Sequence, residues 1–187
     1  MHPIIEKCAA DTKDPIVAPL FEYVLNNVAP AIPNLYLTLA RAPSLFKAWL
    51  DFAPVLRKGS TSPRYIREMA ISRVLQIAKA ENEFVYHTGM AMRAGLTQAQ
   101  VDALEYWRTS DAFSAKERSA LAVADEIATE PGASESSMIE LKAHFPESEV
   151  LEITMTACFY VLVSKFCYSL GIEHDDPAMI SAIVARV

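Results

Sequence analysis

The 187-residue chain is 52% hydrophobic and 21% charged with only 5 glycines, which suits a globular protein with its own core and excludes disordered and fibrous classes. Its formal charge of −6, without a long Lys/Arg run, excludes a phosphate-tracking surface or an anionic membrane, so neither nucleic acid nor a membrane is an expected partner. Three cysteines, Cys8, Cys158 and Cys167, make an odd count with no C-x-x-C, so neither a disulfide framework nor a four-ligand zinc site is indicated.

Helical periodicity with matching stop signals recurs along the chain, and no stretch alternates as a hairpin would, which predicts an all-α bundle of about eight to ten helices. We take residues 1–187 as one domain, because no linker long enough to divide two domains and no internal repeat is present. The N-terminus mixes Glu6, Lys7 and Asp11 with apolar residues, unlike a secretory signal, and the expected location is cytoplasmic.

The first helix is predicted over 15–28, where Val17, Leu20, Phe21, Val24 and Leu25 form an apolar stripe ended by Pro30 and Pro33. A second starts near Pro43 and should kink or stop at Pro54. Residues 58–62 read as a loop, and Pro63 suits the first position of a helix reaching Ala80. The next helix, 82–94, is apolar nearly all round and ends at Gly95, a residue that takes the left-handed conformation without a Cβ clash. Thr97 with Gln100, and Ser114 with Glu117, fit the capping box and start helices reaching Trp107 and Glu130. After a turn at 133–137, a helix reaches Phe145, and a long apolar helix runs from Pro146 to Gly171. Thr154, Thr156 and Lys165 interrupt its apolar run, so it reads as a core helix in which Cys158 and Cys167 are small hydrophobes. Asp175, Asp176 and Pro177 open a last short helix, and capping accounts for the polar cluster at 173–176. His144 suits a helix C-terminus, while Arg118, Asp125 and Glu126 read as solvated helix faces.

Glu83 and His87 are the ionisable exceptions on the apolar 82–94 helix. Their i, i+4 spacing puts them on one face, and a buried carboxylate–imidazole pair can pass protons near neutral pH. The structural alternative is that Glu83 complements the helix dipole and His87 is a satisfied core histidine. Glu68, on a face continued by Ile71, Ser72 and Leu75, is a carboxylate that needs a partner, but hairpin counting does not by itself place it beside His87. A transition-metal site is disfavoured because the paired E-x-x-H motifs of di-iron bundles are missing.

The run Arg67-Glu68, then Glu83-Phe84-Val85-Tyr86-His87, then Ala94-Gly95-Leu96-Thr97, resembles the carboxymuconolactone decarboxylase family, which includes the alkylhydroperoxidase D-like peroxidases. The likeness covers residues 43–163, with 1–42 as an N-terminal helical extension. It implies an alkylhydroperoxidase D-like helical fold assembled as a homo-oligomer, a trimer or hexamer. In the peroxidase branch a C-x-x-C pair precedes the histidine; the matching positions here are Ala80 and Glu83. The resemblance therefore favours a cofactor-independent, metal-free lyase acting on a small organic acid, with His87 and Glu83 moving a proton, Glu68 orienting the histidine and Arg67 meeting the substrate's charge. An antioxidant hydroperoxide role without the cysteine pair, and a non-catalytic oligomeric binding protein, are the alternatives.

Overall fold

The computed structural model describes residues 2–186. Ten α-helices and no strand occur among them: α1 Val17–Asn27, α2 Asn34–Leu39, α3 Pro43–Pro54, α4 Arg64–Ile77, α5 Glu81–Arg93, α6 Gln98–Ala103, α7 Ala115–Thr129, α8 Glu135–His144, α9 Glu147–Leu170 and α10 Pro177–Arg186. This is the all-α fold that the periodicity predicts.

The chain divides into two units, Met1–Lys58 with Phe166–Val187, and Gly59–Lys165. In the first, Phe21 and Tyr36 pack their rings against the fully buried Phe46 at 6.0 and 5.5 Å. Asp175 is buried there and accepts the Asn34 amide at 2.7 Å, so it caps α2, a helix that sequence reading leaves out. Asp176 takes the expected role at α10, accepting the Ala178 amide. Pro54 ends α3, and a π turn over Val55–Gly59 follows it directly.

The second unit is built around Ile66, Met69, Leu104, Leu121, Leu141 and Ile153, all sealed from solvent. Both capping boxes form: Thr97 and Ser114 accept the amides of Gln100 and Glu117, whose side chains return to the cap residues' backbone. Ser114→Ala should cost about 1 kcal/mol, read as a melting temperature lower by about 2–4 °C for a chain of this size. Gly95, at φ 120°, ends α5 in a Schellman turn, with the Leu96 amide on the Ala91 carbonyl at 2.9 Å.

Three expectations need correction. Helix α5 is not apolar all round: Val85 and Met92 are exposed, because they lie opposite the His87, Met90 and Ala91 face that turns inward. Cys158 is exposed rather than a core residue, whereas Cys167 is buried. Arg118 and Asp125 are part-buried and bonded across the fold rather than ordinary solvated faces. The Arg118 guanidinium donates to the carbonyls of Phe113, Trp107, Arg108 and Ser110. Asp125 accepts from Arg73 Nε at 2.5 Å, Trp107 Nε1 at 3.1 Å and Arg108 Nη2 at 3.3 Å. Glu126 accepts the Ser134 amide and the Ser137 hydroxyl; these bonds, the amide first, hold its carboxyl below the usual range and fix the start of α8.

Helix α9 is long and apolar enough by length and composition to cross a membrane, but half of its most apolar window is buried within the protein. Its inward face carries Ile153, Ala157 and Tyr160, as expected of a core helix.

Candidate active site

Two consecutive helices create the site. Helix α4 buries Ile66, Met69, Ala70, Ile71, Val74 and Leu75, and burial extends to Arg67 and Glu68 on the same helix. A Schellman turn joins it to α5: the Ala80 amide reaches the Leu75 carbonyl at 3.0 Å, and Lys79 supplies the left-handed residue at φ 55°. Glu68 stands nine positions before the end of α4 and His87 six after the start of α5, an axial mismatch of roughly 4–5 Å. The long glutamate side chain spans it.

His87 Nδ1 lies 2.8 Å from Glu68 Oε2. The two residues are 7% and 2% exposed, so the interaction sits in a low-dielectric setting where a charge-assisted bond is strong and a lone carboxylate costly. The other Glu68 oxygen, Oε1, is 3.6 Å from Arg64 Nε. With the carboxylate ionised it can only accept, so Nδ1 donates and the basic lone pair of the imidazole falls on Nε2. Nε2 makes no hydrogen bond among the described residues. Tyr160, from α9, sets its ring edge-on to the imidazole with centroids 4.5 Å apart and fixes the ring plane. The unit thus has the parts of a proton relay: an acceptor, an oriented imidazole and a second ring nitrogen.

Glu83 lies outside this hydrogen-bonded unit. It is half-buried in the first turn of α5 and has no side-chain hydrogen bond or ion pair among the described residues. The expected Glu83/His87 pair is therefore replaced by Glu68/His87. Glu68, deep in the core, gains far more from an imidazole donor than Glu83, which has water and the helix dipole.

Arg67 is 4% exposed, and its Nη1 donates to the backbone and hydroxyl oxygens of Ser62. Burial pulls the guanidinium below its ordinary range, while Glu152 and then Glu68 act to hold it charged. Arg67 thus braces the entry to α4. Arg64, with a side chain one-third exposed, is the cation on the Glu68 carboxylate that solvent can reach.

Glu152 of α9 closes the same corner. It accepts the Thr61 amide at 2.9 Å and the Ser62 amide at 2.7 Å. Burial alone would raise its pKa, but the bonds from Ser62 and Thr61 win and hold it below the usual carboxylate range. A folded-state value below the unfolded one means stability that is present above about pH 4.3 and lost as pH falls through the depressed value. Glu152→Gln should flatten the acid limb of a melting-temperature profile between pH 3 and 6 while leaving its plateau shape near pH 7 unchanged.

Among the described residues, no group of three or more His, Cys, Asp or Glu side chains is arranged to hold a metal ion. The Arg-x-x-x-Glu spacing of Arg64 and Glu68 was a readable signal for that pair. Tyr160 and Glu152 carried none, because they reach the site from far along the chain.

Comparison with known proteins bears on this constellation directly, since its central pair falls inside a recognisable segment. Residues 43–126 match the carboxymuconolactone decarboxylase family model. Glu68 and His87 lie within that family segment; Glu152 and Tyr160 lie beyond it. No curated protein matches the chain by sequence. Among solved structures, an uncharacterized peroxidase-related protein from Silicibacter sp. TM1040 superimposes with a TM-score of 0.79 at 16% identity, covering 98% of this chain and 97% of that one. The debrominase Bmp8 in complex with 2,3,4-tribromopyrrole gives a TM-score of 0.78 at 20% identity, covering 100% and 98%. An alkylhydroperoxidase AhpD core protein from Ralstonia eutropha JMP134 gives 0.73 at 20%, covering 94% and 95%. At these identities the likeness shows the fold, which is alkylhydroperoxidase D-like.

Proposed function

We propose that the chain is a cofactor-independent lyase of the carboxymuconolactone decarboxylase type, in which Glu68 and His87 move a proton on a small organic acid. The buried 2.8 Å contact between Glu68 Oε2 and His87 Nδ1 carries this reading. His87 Nε2 exchanges the proton at the carbon that loses carbon dioxide or shifts its double bond, and the Glu68 carboxylate stabilises the imidazolium that forms. Arg64, next to Glu68 and more exposed than Arg67, is the better placed cation for the substrate's carboxylate. Arg67, the cation expected from sequence, is buried and bonded to Ser62.

The peroxidase-related likenesses raise a thiol alternative, and cysteine placement speaks against it. Cys158 and Cys167 stand nine residues apart on one helix, roughly 13 Å along its axis, too far for a disulfide. The deciding assay is carbon dioxide release from carboxymuconolactone, run beside consumption of an alkyl hydroperoxide. The proposal expects decarboxylation that survives Cys158→Ser and Cys167→Ser. Hydroperoxide turnover abolished by either serine variant, with no decarboxylation, would overturn it.

A further inference from the structure

Buried hydroxyls on the helices around the site find partners within their own helices. Ser72 donates to the Glu68 carbonyl at 2.7 Å, Thr88 to the Phe84 carbonyl at 2.8 Å and Ser164 to the Val161 carbonyl at 2.9 Å. Elsewhere in the chain the buried Thr38, Ser62 and Ser119 are bonded too. Thr156 is the exception among the buried serines and threonines described. It is 1% exposed, yet its hydroxyl makes no hydrogen bond. An orphaned polar group at this depth is unfavourable unless something other than the chain meets it. The half-buried Thr154 also lacks a hydrogen bond, but two positions away it points roughly 160° round the helix from Thr156.

Neighbours on α9 place that hydroxyl. One turn earlier, Glu152 accepts the Thr61 and Ser62 amides at the entry to α4, and Ile153 joins the apolar cluster of Ile66 and Met69. One turn later, Tyr160 packs on the His87 ring with centroids 4.5 Å apart. Thr156 shares this face and stands roughly 6 Å along the axis from both Glu152 and Tyr160. The ring of a helical tyrosine leans back over the preceding turn, so the Tyr160 contact with His87 lies toward Thr156. The hydroxyl is therefore set between His87 and the first turns of α4, which bear Arg64 and Glu68.

We propose that Thr156 is a substrate-binding residue, its hydroxyl donating to the carbonyl oxygen of an oxo or lactone acid whose reacting carbon faces His87 Nε2. This rests on the lyase reading above and narrows its substrate class. When a C–H bond breaks, the proton passes to Nε2 and the electron pair goes onto the adjacent carbonyl oxygen. When carbon dioxide leaves, the pair of the broken C–C bond goes to the same oxygen. A donor fixed where that charge grows acts most strongly in a site closed to water.

Two acids of one ring size separate this donor from the rest of the site: paraconate, a five-membered lactone with a ring carboxylate, and cyclopentanecarboxylate, which has no second oxygen acceptor. Their dissociation constants are read from the His87 signals of the full, histidine-labelled chain. The wild type and Thr156→Ser should hold paraconate about 10-fold more tightly, the worth of one buried hydrogen bond. Thr156→Val should bind the two acids alike, with the cyclopentanecarboxylate constant unchanged. Its melting temperature should be no lower than that of the wild type, since valine removes an orphaned hydroxyl and keeps the shape. A preference for paraconate that survives in Thr156→Val, or equal binding of the two acids by the wild type, overturns the Thr156 assignment and leaves the lyase reading standing. His87 signals that neither acid moves overturn both.

Discussion

Asp125→Ala is expected to lower stability by about 3 kcal/mol, seen in urea unfolding as a lower midpoint with an unchanged slope. The carboxylate holds together three segments that are distant in sequence: Arg73 of α4, Trp107 and Arg108 after α6, and α7 itself. Arg73 and Asp125 side chains are each only 13% exposed, so alanine strands a largely buried guanidinium and an indole N–H. The Arg108 contact contributes least, since its side chain is 59% exposed and screened by water. Asp125→Asn keeps an acceptor for the indole and should lose roughly half as much. A loss below about 0.5 kcal/mol for the alanine variant, typical of an ordinary surface position, would show that Asp125 does not bind these segments together.

Glu68→Gln and His87→Ala should each lower turnover by about 100- to 10,000-fold. Glutamine can still accept from Nδ1–H, so geometry is kept while the charge that stabilises the imidazolium is lost. The double variant should fall little further than the worse single one, because the two groups act as a unit. Glu83→Gln should leave activity near its starting value, since Glu83 makes no hydrogen bond or ion pair with Glu68 or His87. Steady-state kinetics with melting curves on the same preparations check this: a kcat loss without a melting shift separates chemistry from folding. Equal losses in Glu83→Gln and Glu68→Gln would contradict the assignment.

Much of the fold was legible because its signals are local. Capping residues Thr97 and Ser114, the stop at Gly95 and the break at Pro63 each act within one helical turn, so adjacent residues suffice to locate them. Helix α2 was missed because its cap is Asp175, far along the chain. The same reason explains Asp125, whose partners lie 17, 18 and 52 residues away. His87 and Glu68 were both identifiable as buried ionisable groups, but pairing them needed the tertiary packing of α4 on α5. The i, i+4 rule pointed to Glu83, a neighbour on the same face that loses to a buried carboxylate across the helix pair.

The most direct test of the central claim is the protonation pattern of the His87 ring, read by nitrogen-15 NMR of histidine-labelled protein near neutral pH. A Glu68–His87 relay predicts a hydrogen-bonded Nδ1 proton that shifts in Glu68→Gln and stays in place in Glu83→Gln. A ring protonated at Nε2 alone, or an Nδ1 proton that responds to Glu83→Gln and ignores Glu68→Gln, would contradict it.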